Sequence, residues 1–277
     1  PHRLYLKGGI FYFEREVWTN RKVGDSVSSP MPSFVGNSIR DISGFESRLV
    51  FSAGPNVIMS RTNDEIDFFR KSVTTVVDDD PIDMKSTKEN SLRLDWIVPF
   101  DRDLILLSDP GEAQFIVKGG GVTPSNASLV LSTTFSMFGK ARPVTTGRTL
   151  IFPFRSGRYS GLKEFFTNDQ VSTNGADTLT EVQSRYITGE VNNIASTKNF
   201  NMLAVGTDDP ATSNTIWTYK YLWEGAERMQ SSWSKWVLHD DPVYFFFDNS
   251  VFYIVVKDEA DRYFLCKADL NRVTNVE

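Results

Sequence analysis

The sequence has few of the residues that form disulfide frameworks, metal centres or catalytic triads. Its 277 residues include one cysteine, Cys266, and two histidines, His2 and His239. A single cysteine cannot form an internal disulfide, which excludes a small secreted fold held together by disulfides. With two histidines, one near the start of the sequence and one beside Asp240, a nucleophilic triad has little choice of base. His239 is therefore interpreted as a histidine in a surface turn.

Long apolar runs and an excess of positive charge are also missing. The longest unbroken apolar run, Val251 to Val256, is far shorter than the roughly 20 residues that a membrane helix needs. The 30 basic and 35 acidic side chains give a net charge of -5, which argues against tight electrostatic binding of nucleic acid. The sequence begins with Pro1 rather than methionine and shows no leader pattern, so we expect it to be a piece of a longer protein.

Motifs for phosphate, metal and acyl-transfer chemistry are absent from the sequence. There is no Gly-x-Ser-x-Gly elbow, no phosphate loop ending in Gly-Lys-Ser/Thr and no paired-histidine zinc helix. Gly119-Gly120-Gly121 follows a strand pattern but leads to no helix, so it is interpreted as a loop. Asp78, Asp80 and Glu89 imitate a calcium loop, but Asp83 stands where the sharp turn needs glycine. We therefore predict no catalytic, cofactor or metal site.

Aromatic residues and short apolar runs, by contrast, are abundant. The sequence contains 21 Phe, 9 Tyr and 6 Trp, and large flat side chains favour sheets. Apolar runs separated by turn clusters are typical of antiparallel strands, and here they recur about every 50 residues, as in β-propeller blades. The clearest predicted strands are Arg48–Ser52, Asn56–Ser60, Leu94–Pro99, Leu104–Ser108, Ala113–Val117, Val243–Phe247, Val251–Lys257 and Tyr263–Lys267. Weaker patterns occur at Arg3–Lys7, Ile10–Val17 and Val144–Phe154.

These patterns predict an all-β fold: a β-propeller-like array of antiparallel blades, each with three or four strands, and few short helices. Helix signals are confined to Leu162–Phe166 and to Leu179–Tyr186, which follows a candidate N-cap at Asp177. No Pro- or Gly-rich linker divides the chain, so residues 1–277 are expected to form a single propeller-type region. The polar stretch Asn168–Gly175 is expected to be a long loop.

The most regular alternation of apolar and polar residues lies in residues 216–223. A period of two places Trp217, Tyr219, Tyr221 and Trp223 on one face of a strand, whereas a helix would scatter them. A second aromatic strand is predicted to follow a short turn. The two strands together predict a hairpin that is a centre of packing.

The tryptophans of this hairpin allow two interpretations. The second strand, residues 231–238, adds Trp233 and Trp236, and exposed aromatic rings of this kind can stack on sugars or on nucleic-acid bases. Most aromatics in alternating strands are instead buried between neighbouring sheets, so core packing is the favoured interpretation. Lys220 and Lys235 are then expected to remain in water.

The hairpin also carries a signature that can be compared with known families. Residues 219–236 contain Tyr-Lys-Tyr-Leu, then Gln-Ser, then Trp-x-x-Trp. This order resembles the tail nozzle proteins of short-tailed phages, the tail tubular protein B family of T7-like viruses. Other blocks agree in order over residues 18–238: Arg21-Lys22-Val23-Gly24-Asp25, Pro30-Met31-Pro32-Ser33-Phe34-Val35-Gly36, Arg48-Leu49, Val57-Ile58-Met59-Ser60-Arg61, Asp79-Asp80-Pro81-Ile82-Asp83, Ala141-Arg142-Pro143 and Ala176-Asp177-Thr178-Leu179-Thr180.

The resemblance implies a structural protein and no enzyme. Nozzle proteins resemble β-propellers with platform and tip elements, and they assemble as a hexameric ring around the channel through which viral DNA leaves. The implied partners are other copies, the adaptor or gatekeeper ring of tail tubular protein A, tail fibres and double-stranded DNA in transient, non-specific passage. The implied location is the virion tail, assembled in the cytoplasm of the bacterial host. Family members are several times longer than this chain.

The acidic balance suggests a hypothesis about the channel. A wall that guides DNA should repel phosphate weakly, because each Lys or Arg paired with phosphate would slow sliding. The run Asp78–Asp80, just before Pro81, is interpreted as a solvated turn. It is the candidate for an acidic segment facing the channel.

Two alternatives remain open. The chain could be a carbohydrate- or receptor-binding module that stacks sugar on tryptophans of the hairpin, namely Trp217, Trp223, Trp233 or Trp236. Less favoured is a glycan hydrolase, whose paired carboxylates are set by spatial distance rather than by sequence spacing.

An incomplete propeller would also leave strand edges unpaired. The apolar runs Val243–Phe247 and Val251–Val256 are the candidates for such edges. Unpaired apolar edges promote pairing with other chains, so we expect the protein to associate.

Overall fold

A computed structural model describes residues 2–86, 93–108, 114–135, 137–147, 149–168, 173–225 and 227–271. Over these residues the chain forms 22 β-strands and one short 3-10 helix, Pro210–Thr212. The strands pair in antiparallel sheets. The predicted all-β fold of antiparallel blades is therefore confirmed.

Two compact units divide the chain, residues 1–106 with 115–130 and residues 107–114 with 131–277. The first unit opens with a hairpin of strands β1, His2–Lys7, and β2, Ile10–Arg15. Gly8 and Gly9 make its turn with φ values of 60° and 78°, which glycine adopts without strain. That residues 1–277 form one propeller-type region stays a prediction.

The first unit also contains a four-stranded sheet in which sequential strands are neighbours. Its strands are β3, Ile39–Phe45; β4, Arg48–Ala53; β5, Asn56–Met59; and β6, Ile82–Lys85. The turn at Gly54-Pro55 joins β4 to β5, as predicted. Phe51, Ile58 and Phe68 are buried together against this sheet, and Trp18 packs on them.

The predicted three-strand set of residues 94–117 forms a second four-stranded sheet. Its strands are β7, Leu94–Phe100; β8, Asp103–Ser108; β9, Gln114–Val117; and β10, Val130–Thr133. The strand β10 adds a fourth member that the sequence pattern did not indicate. The predicted turn Asp109-Pro110-Gly111-Glu112 lies outside the described residues.

Three more sheets follow in chain order. The first has five strands: β11, Val144–Thr145; β12, Leu150–Ser156; β13, Tyr159–Asn168; β14, Thr173–Thr178; and β15, Ile187–Thr188. The second has four: β16, Val191–Thr197; β17, Met202–Thr207; β18, Thr215–Glu224; and β19, Glu227–Val237. The third has three: β20, Asp241–Asp248; β21, Val251–Lys257; and β22, Tyr263–Asp269.

The predicted period of about 50 residues is reproduced by these five larger sheets. Their first strands begin at Ile39, Leu94, Val144, Val191 and Asp241. Each of the sheets thus takes up a similar length of chain. The predicted three or four strands per blade hold for four of them, and the sheet that starts with β11 has a fifth strand.

The helix predictions are wrong. Leu162–Phe166 lies inside strand β13, and Leu179–Tyr186 forms successive turns and bends. Pairing of β13 with β12 and β14 outweighs the weak helical periodicity of five residues. The predicted loop Asn168–Gly175 is also wrong in part, because β14 begins at Thr173; residues 169–172 lie outside the described residues.

In the sheet β16–β19, strands β16 to β18 are buried on both faces. Leu203 and Trp217 belong to one apolar cluster, which includes residues of β12 and β13. Ala204 and Ile216, their neighbours along the same strands, belong to another cluster, which includes Phe252 of β21. Because successive side chains of a strand point to opposite faces, this sheet connects two cores.

Candidate functional surfaces

The aromatic hairpin β18–β19 uses its rings for packing. Trp217, Tyr219 and Tyr221 are buried, and Trp223 and Trp233 pack partly buried against the same cluster. The predicted common face of the alternating residues is therefore confirmed. Core packing, the favoured interpretation, accounts for these rings.

The remaining members of the hairpin agree with this arrangement. Trp236 packs against the opposite cluster, with its ring 5.7 Å from that of Phe252. Lys220 and Lys235 are exposed, as predicted. Of the four tryptophans Trp217 is buried and the other three are partly buried, so packing covers most of their surface.

A buried polar network lies at the far end of this hairpin. The Glu164 carboxylate accepts a hydrogen bond from the Thr149 hydroxyl at 2.9 Å and pairs with the Arg228 guanidinium. The same guanidinium donates to the Tyr219 hydroxyl at 3.3 Å and lies 4.5 Å from the centroid of the Trp223 ring. Since Arg228 and Tyr219 belong to the signature block, the signature encodes a structural network. Sequence analysis missed Glu164, because its partner is 64 residues away.

The acidic run Asp78–Asp80 differs from the predicted solvated turn. The Asp80 side chain is fully buried and accepts a hydrogen bond from the backbone N–H of Lys71 at 3.1 Å. The guanidinium of Arg48, also buried, donates to the carbonyl oxygens of Asp78 and Asp80 at 2.7 Å each. The prediction of a solvated turn is wrong for Asp80, because its side chain is buried and Arg48 binds the backbone of the turn. A channel role for the run stays a prediction.

The charge of Asp79 is compensated within the first unit. Its carboxylate pairs with the Arg61 guanidinium and, at 2.8 Å, with the Lys71 ammonium. The hydrogen bond from Lys71 is the main reason that the pKa of Asp79 is lowered, and the Arg61 charge adds to it. The local negative charge is therefore smaller than three consecutive aspartates would suggest.

The loop Gly119–Gly121 binds a carboxylate of the chain itself. Glu46 accepts hydrogen bonds from the backbone N–H groups of Gly120 at 2.5 Å, Gly121 at 3.1 Å and Val122 at 2.6 Å. Successive N–H groups that converge in this way form an anion-binding nest. The predicted loop is confirmed, but its anion-binding groups are occupied by Glu46.

Glycine is required at the start of this nest. A Cβ atom at Gly119 would lie 1.7 Å from the carbonyl oxygen of Arg102, a distance that no side chain can tolerate. The Gly119 N–H donates to the Asp103 carboxylate at 3.1 Å. The nest is thus held from two sides.

Replacing Glu46 with glutamine should weaken the first unit. Burial alone would raise the pKa of Glu46, but the hydrogen bonds from Val122, Gly120 and Gly121 outweigh it and the pKa is lowered. A carboxyl with a lowered pKa contributes stability above its unfolded value and loses it as the pH falls through the folded value. We expect Glu46→Gln to reduce the free energy of unfolding at pH 7 by about 1–2 kcal/mol.

The measurement is urea unfolding at pH 7 and again at a pH low enough to protonate a carboxyl whose pKa is lowered. The difference between Glu46→Gln and wild type should shrink at the lower pH. Glu65→Gln is the matched control, because Glu65 is exposed in the same unit. A difference that does not depend on pH would show that the nest does not hold a carboxylate.

Hairpin β1–β2 has one apolar face that is open to water. Leu4 lies opposite Phe13 and Leu6 opposite Phe11, and residues opposite one another in antiparallel strands share a face. Their side chains are 59–71% exposed. Arg15 continues this face at the open end of the hairpin. We call Leu4, Leu6, Phe11 and Phe13 the hairpin face.

Sheet β20–β22 has a second open apolar face. Phe246 lies opposite Tyr253, and Tyr244, Val255 and Leu265 form the next row across the three strands. Tyr244, Phe246 and Leu265 are 55%, 40% and 67% exposed. We call these five residues the outer face.

The edges of the sheet β20–β22 differ in part from the prediction. Val251–Val256 lies in β21, which is paired on both sides, so the prediction of an unpaired edge there is wrong. Val243–Phe247 belongs to the edge strand β20, and β22 is the other edge. All seven residues of β22 are exposed. The expected association stays a prediction.

The two histidines are in exposed positions. His2 stacks on Phe13 with ring centroids 4.9 Å apart. His239 lies 3.0 Å from the Asp240 carboxylate, and the hydrogen bond between them is the main reason that its pKa is raised. Within the described ranges, no group of three or more His, Cys, Asp or Glu residues could hold a metal ion.

Within the same ranges, no helix has the length and apolar character needed to cross a membrane.

Comparison with known families and proteins gave two findings. A family model described as bacteriophage nozzle protein matches residues 1–276. Tail tubular protein gp12 of Escherichia phage T7 is 35% identical over 242 residues, which cover 85% of this chain and 30% of that protein. The chain therefore spans less than a third of the length of this relative.

Solved structures with a similar chain trace were also found. The β-propeller domain of Cps50 (Swd1) from Myceliophteria thermophila has a TM-score of 0.48 at 10% identity, covering 85% of this chain and 73% of that chain. Hsv2 from Kluyveromyces marxianus has a TM-score of 0.43 at 12% identity, covering 85% and 77%. Similarities this distant carry no argument about function.

Proposed function

The chain belongs to the bacteriophage nozzle protein family, and from this premise we propose that it is a structural component of a short phage tail. The observation that carries the proposal is the match of the family model to residues 1–276. The identity to a T7 tail tubular protein supports it independently. The family is one of structural tail proteins and is not an enzyme family.

In this role the chain is part of a nozzle ring through which viral DNA is ejected into the host. The ring is a homo-oligomer, a hexamer in the virion, assembled in the host cytoplasm. Its neighbours are the adaptor ring of tail tubular protein A and the tail fibres. Sheets with apolar cores on both faces support this role, because closely packed interiors resist deformation.

The inner wall of such a ring touches DNA only in passing. The net charge of -5 supports weak repulsion of phosphate, and tight binding would slow the passage of DNA. Of the run Asp78–Asp80, Asp80 is buried, so Asp78 and Asp79 remain the candidates for this wall. A ring whose channel is lined mainly by Lys and Arg would contradict this part of the proposal.

The role in the tail is tested by locating the chain in the virion. Gold-labelled antibodies raised against the 277-residue chain should decorate the short tail of the phage that encodes it and leave the capsid unlabelled. Negative-stain images of the full-length protein should show sixfold rings with a central hole. Labelling on the capsid alone would overturn the proposal.

Two further measurements distinguish the proposed structural role from the receptor-binding and glycan hydrolase alternatives. Tryptophan fluorescence should be unchanged across a panel of host glycans, because Trp217 is buried and Trp223 and Trp233 pack against its cluster. Purified protein should release no reducing sugar from host envelope. A saturable fluorescence change would instead favour a receptor-binding module.

A further inference from the structure

We propose that two copies of this chain associate head to tail, with the hairpin face of one copy docked on the outer face of sheet β20–β22 of the next. The inference rests on the proposed function in one respect, because a ring needs one contact that repeats between copies. It goes further by naming the residues on each side of that contact.

The first argument is that large apolar side chains are exposed on both faces. Phe11 and Phe13 are 71% exposed, and Leu265 of the outer face is 67% exposed. Contiguous apolar surface of this kind marks an interaction site on a protein. A two-stranded hairpin is also marginally stable by itself in water, so the hairpin gains most from being covered.

The second argument identifies the side of the hairpin that binds. On the opposite side, Arg3 pairs with Glu14 at 2.9 Å, and the rings of Tyr5 and Tyr12 stack 5.3 Å apart. Arg3 and Glu14 on that side are already paired, and its two tyrosine rings cover each other. On the hairpin face the His2 ring stacks on Phe13 with centroids 4.9 Å apart, but the four apolar side chains remain 59–71% exposed, so it is the side that a partner would bury.

The third argument is that the rows of the two faces match. On the hairpin, the row of Arg15 is followed by the row of Phe13 and then by the row of Phe11. On the sheet, a row with Asp248 and Asp269 at its two ends is followed by the row of Phe246 and Tyr253, and then by the row of Tyr244, Val255 and Leu265. Each face thus has one charged row beside two rows that carry large apolar side chains; Lys267 stands at the β22 end of the Phe246–Tyr253 row.

Charge selects the head-to-tail arrangement over pairing of like faces. The charged side chain in line with the hairpin face is Arg15, whereas the rows of the outer face carry Asp248 and Asp269 against Lys267. Docking places Arg15 beside Asp248 and Asp269, both exposed. Two outer faces brought together would instead confront four carboxylates, and like charges across an interface disfavour the pair. Lys267 lies on the edge strand, from which its ammonium can remain in water.

A contact between two different faces has a consequence for the assembly. Each copy keeps one unused hairpin face and one unused outer face, so addition of copies continues until the rotation closes a ring. Pairing of like faces would stop at a dimer. Head-to-tail docking therefore gives the kind of interface that a nozzle ring requires.

The experiment uses two variants, each with one face disabled. Phe11→Asp with Phe13→Asp disables the hairpin face, and Phe246→Asp with Leu265→Asp disables the outer face. In sedimentation velocity the wild-type chain should form species larger than a dimer at micromolar concentration. Each variant alone should be monomeric, with apparent affinity reduced at least about tenfold. A mixture of the two should form a 1:1 heterodimer and nothing larger, because each supplies the face that the other lacks.

A control and a charge exchange complete the test. Val27→Asp with Val182→Asp changes two apolar residues that are 87% and 98% exposed outside both faces, and it should associate as wild type does. Arg15→Glu should weaken association, and Asp248→Lys with Asp269→Lys in the same chain should restore it. Near-UV circular dichroism identical to wild type shows that each variant is folded.

Several outcomes would overturn the inference. A wild-type chain that stays monomeric would do so, as would a mixture that forms no heterodimer or an outer-face variant that still dimerises. Tail labelling in the virion does not depend on these results. Failure of the docking experiment with correct tail labelling would therefore reject this interface alone, whereas failure of the labelling would reject the proposed function.

Discussion

Trp217→Ala should lower the free energy of unfolding by about 4 kcal/mol, within the range measured for removal of a large buried aromatic side chain. Trp217 is 2% exposed, and its indole N–H donates to the Tyr186 carbonyl oxygen at 3.2 Å. Truncation removes apolar contact area, leaves a cavity and deprives that carbonyl of its donor. Because the ring lies in the cluster that connects sheet β16–β19 to β12 and β13, the loss should affect both sheets.

The measurement is urea unfolding followed by near-UV circular dichroism, which reports aromatic packing. Leu222→Ala is the matched control: it lies on the same strand, is 47% exposed, and should change stability by less than about 0.5 kcal/mol. If the two variants lost the same stability, β18 would not be the packed centre of the second unit. Trp217→Phe should recover a large part of the loss, because it refills most of the cavity.

Glu164→Ala should cost about 3 kcal/mol, since removing one partner of a buried ion pair leaves the other charge without compensation. The Glu164 side chain is 6% exposed and that of Arg228 is 22% exposed. The variant also removes the acceptor of the Thr149 hydroxyl. Two groups of the network, the Arg228 guanidinium and the Thr149 hydroxyl, would thus lose a partner through one substitution.

A double-mutant cycle distinguishes a network from a sum of separate contacts. Glu164→Leu combined with Arg228→Met should be close to wild type in stability, because it leaves no buried charge unpaired. Lys118→Ala is the control for an exposed pair: the Lys118 side chain is 68% exposed, so loss of its contact with Asp103 should cost less than about 1 kcal/mol. If the double variant were as unstable as Glu164→Ala, the two side chains would contribute to stability by more than the pairing of their charges.

Local pattern predicts the strands of this protein well. The alternation in residues 216–223 identifies the buried face of β18, because side chains two apart on a strand meet the same surroundings. Turn residues such as Gly54-Pro55 and Gly8-Gly9 fix where hairpins reverse, since their backbone preferences are intrinsic. These signals involve residues within one hairpin, and a sequence window contains all of them.

Contacts between distant segments are what the sequence does not reveal. Asp80 is buried because Arg48, 32 residues earlier, donates to its carbonyl oxygen. Glu46 fills the glycine loop from a distance of 74 residues along the chain. The helix assigned to Leu162–Phe166 fails for a different reason, because pairing of β13 with its chain neighbours β12 and β14 outweighs the helix propensity of five residues. The family signature was informative because one pattern of residues reflects many such contacts at once.

The sequential order of strands within the sheets has a consequence for synthesis on the ribosome. Apart from β15, each strand pairs with a neighbour in the chain, so the contact order within one sheet is low and its loops close quickly. Each sheet can form soon after its last strand leaves the exit tunnel, at synthesis speeds of roughly 5–20 residues per second. The apolar clusters between sheets then assemble in the order of translation. The first sheets of a nascent chain can therefore bury their apolar side chains before its C-terminal residues are synthesised.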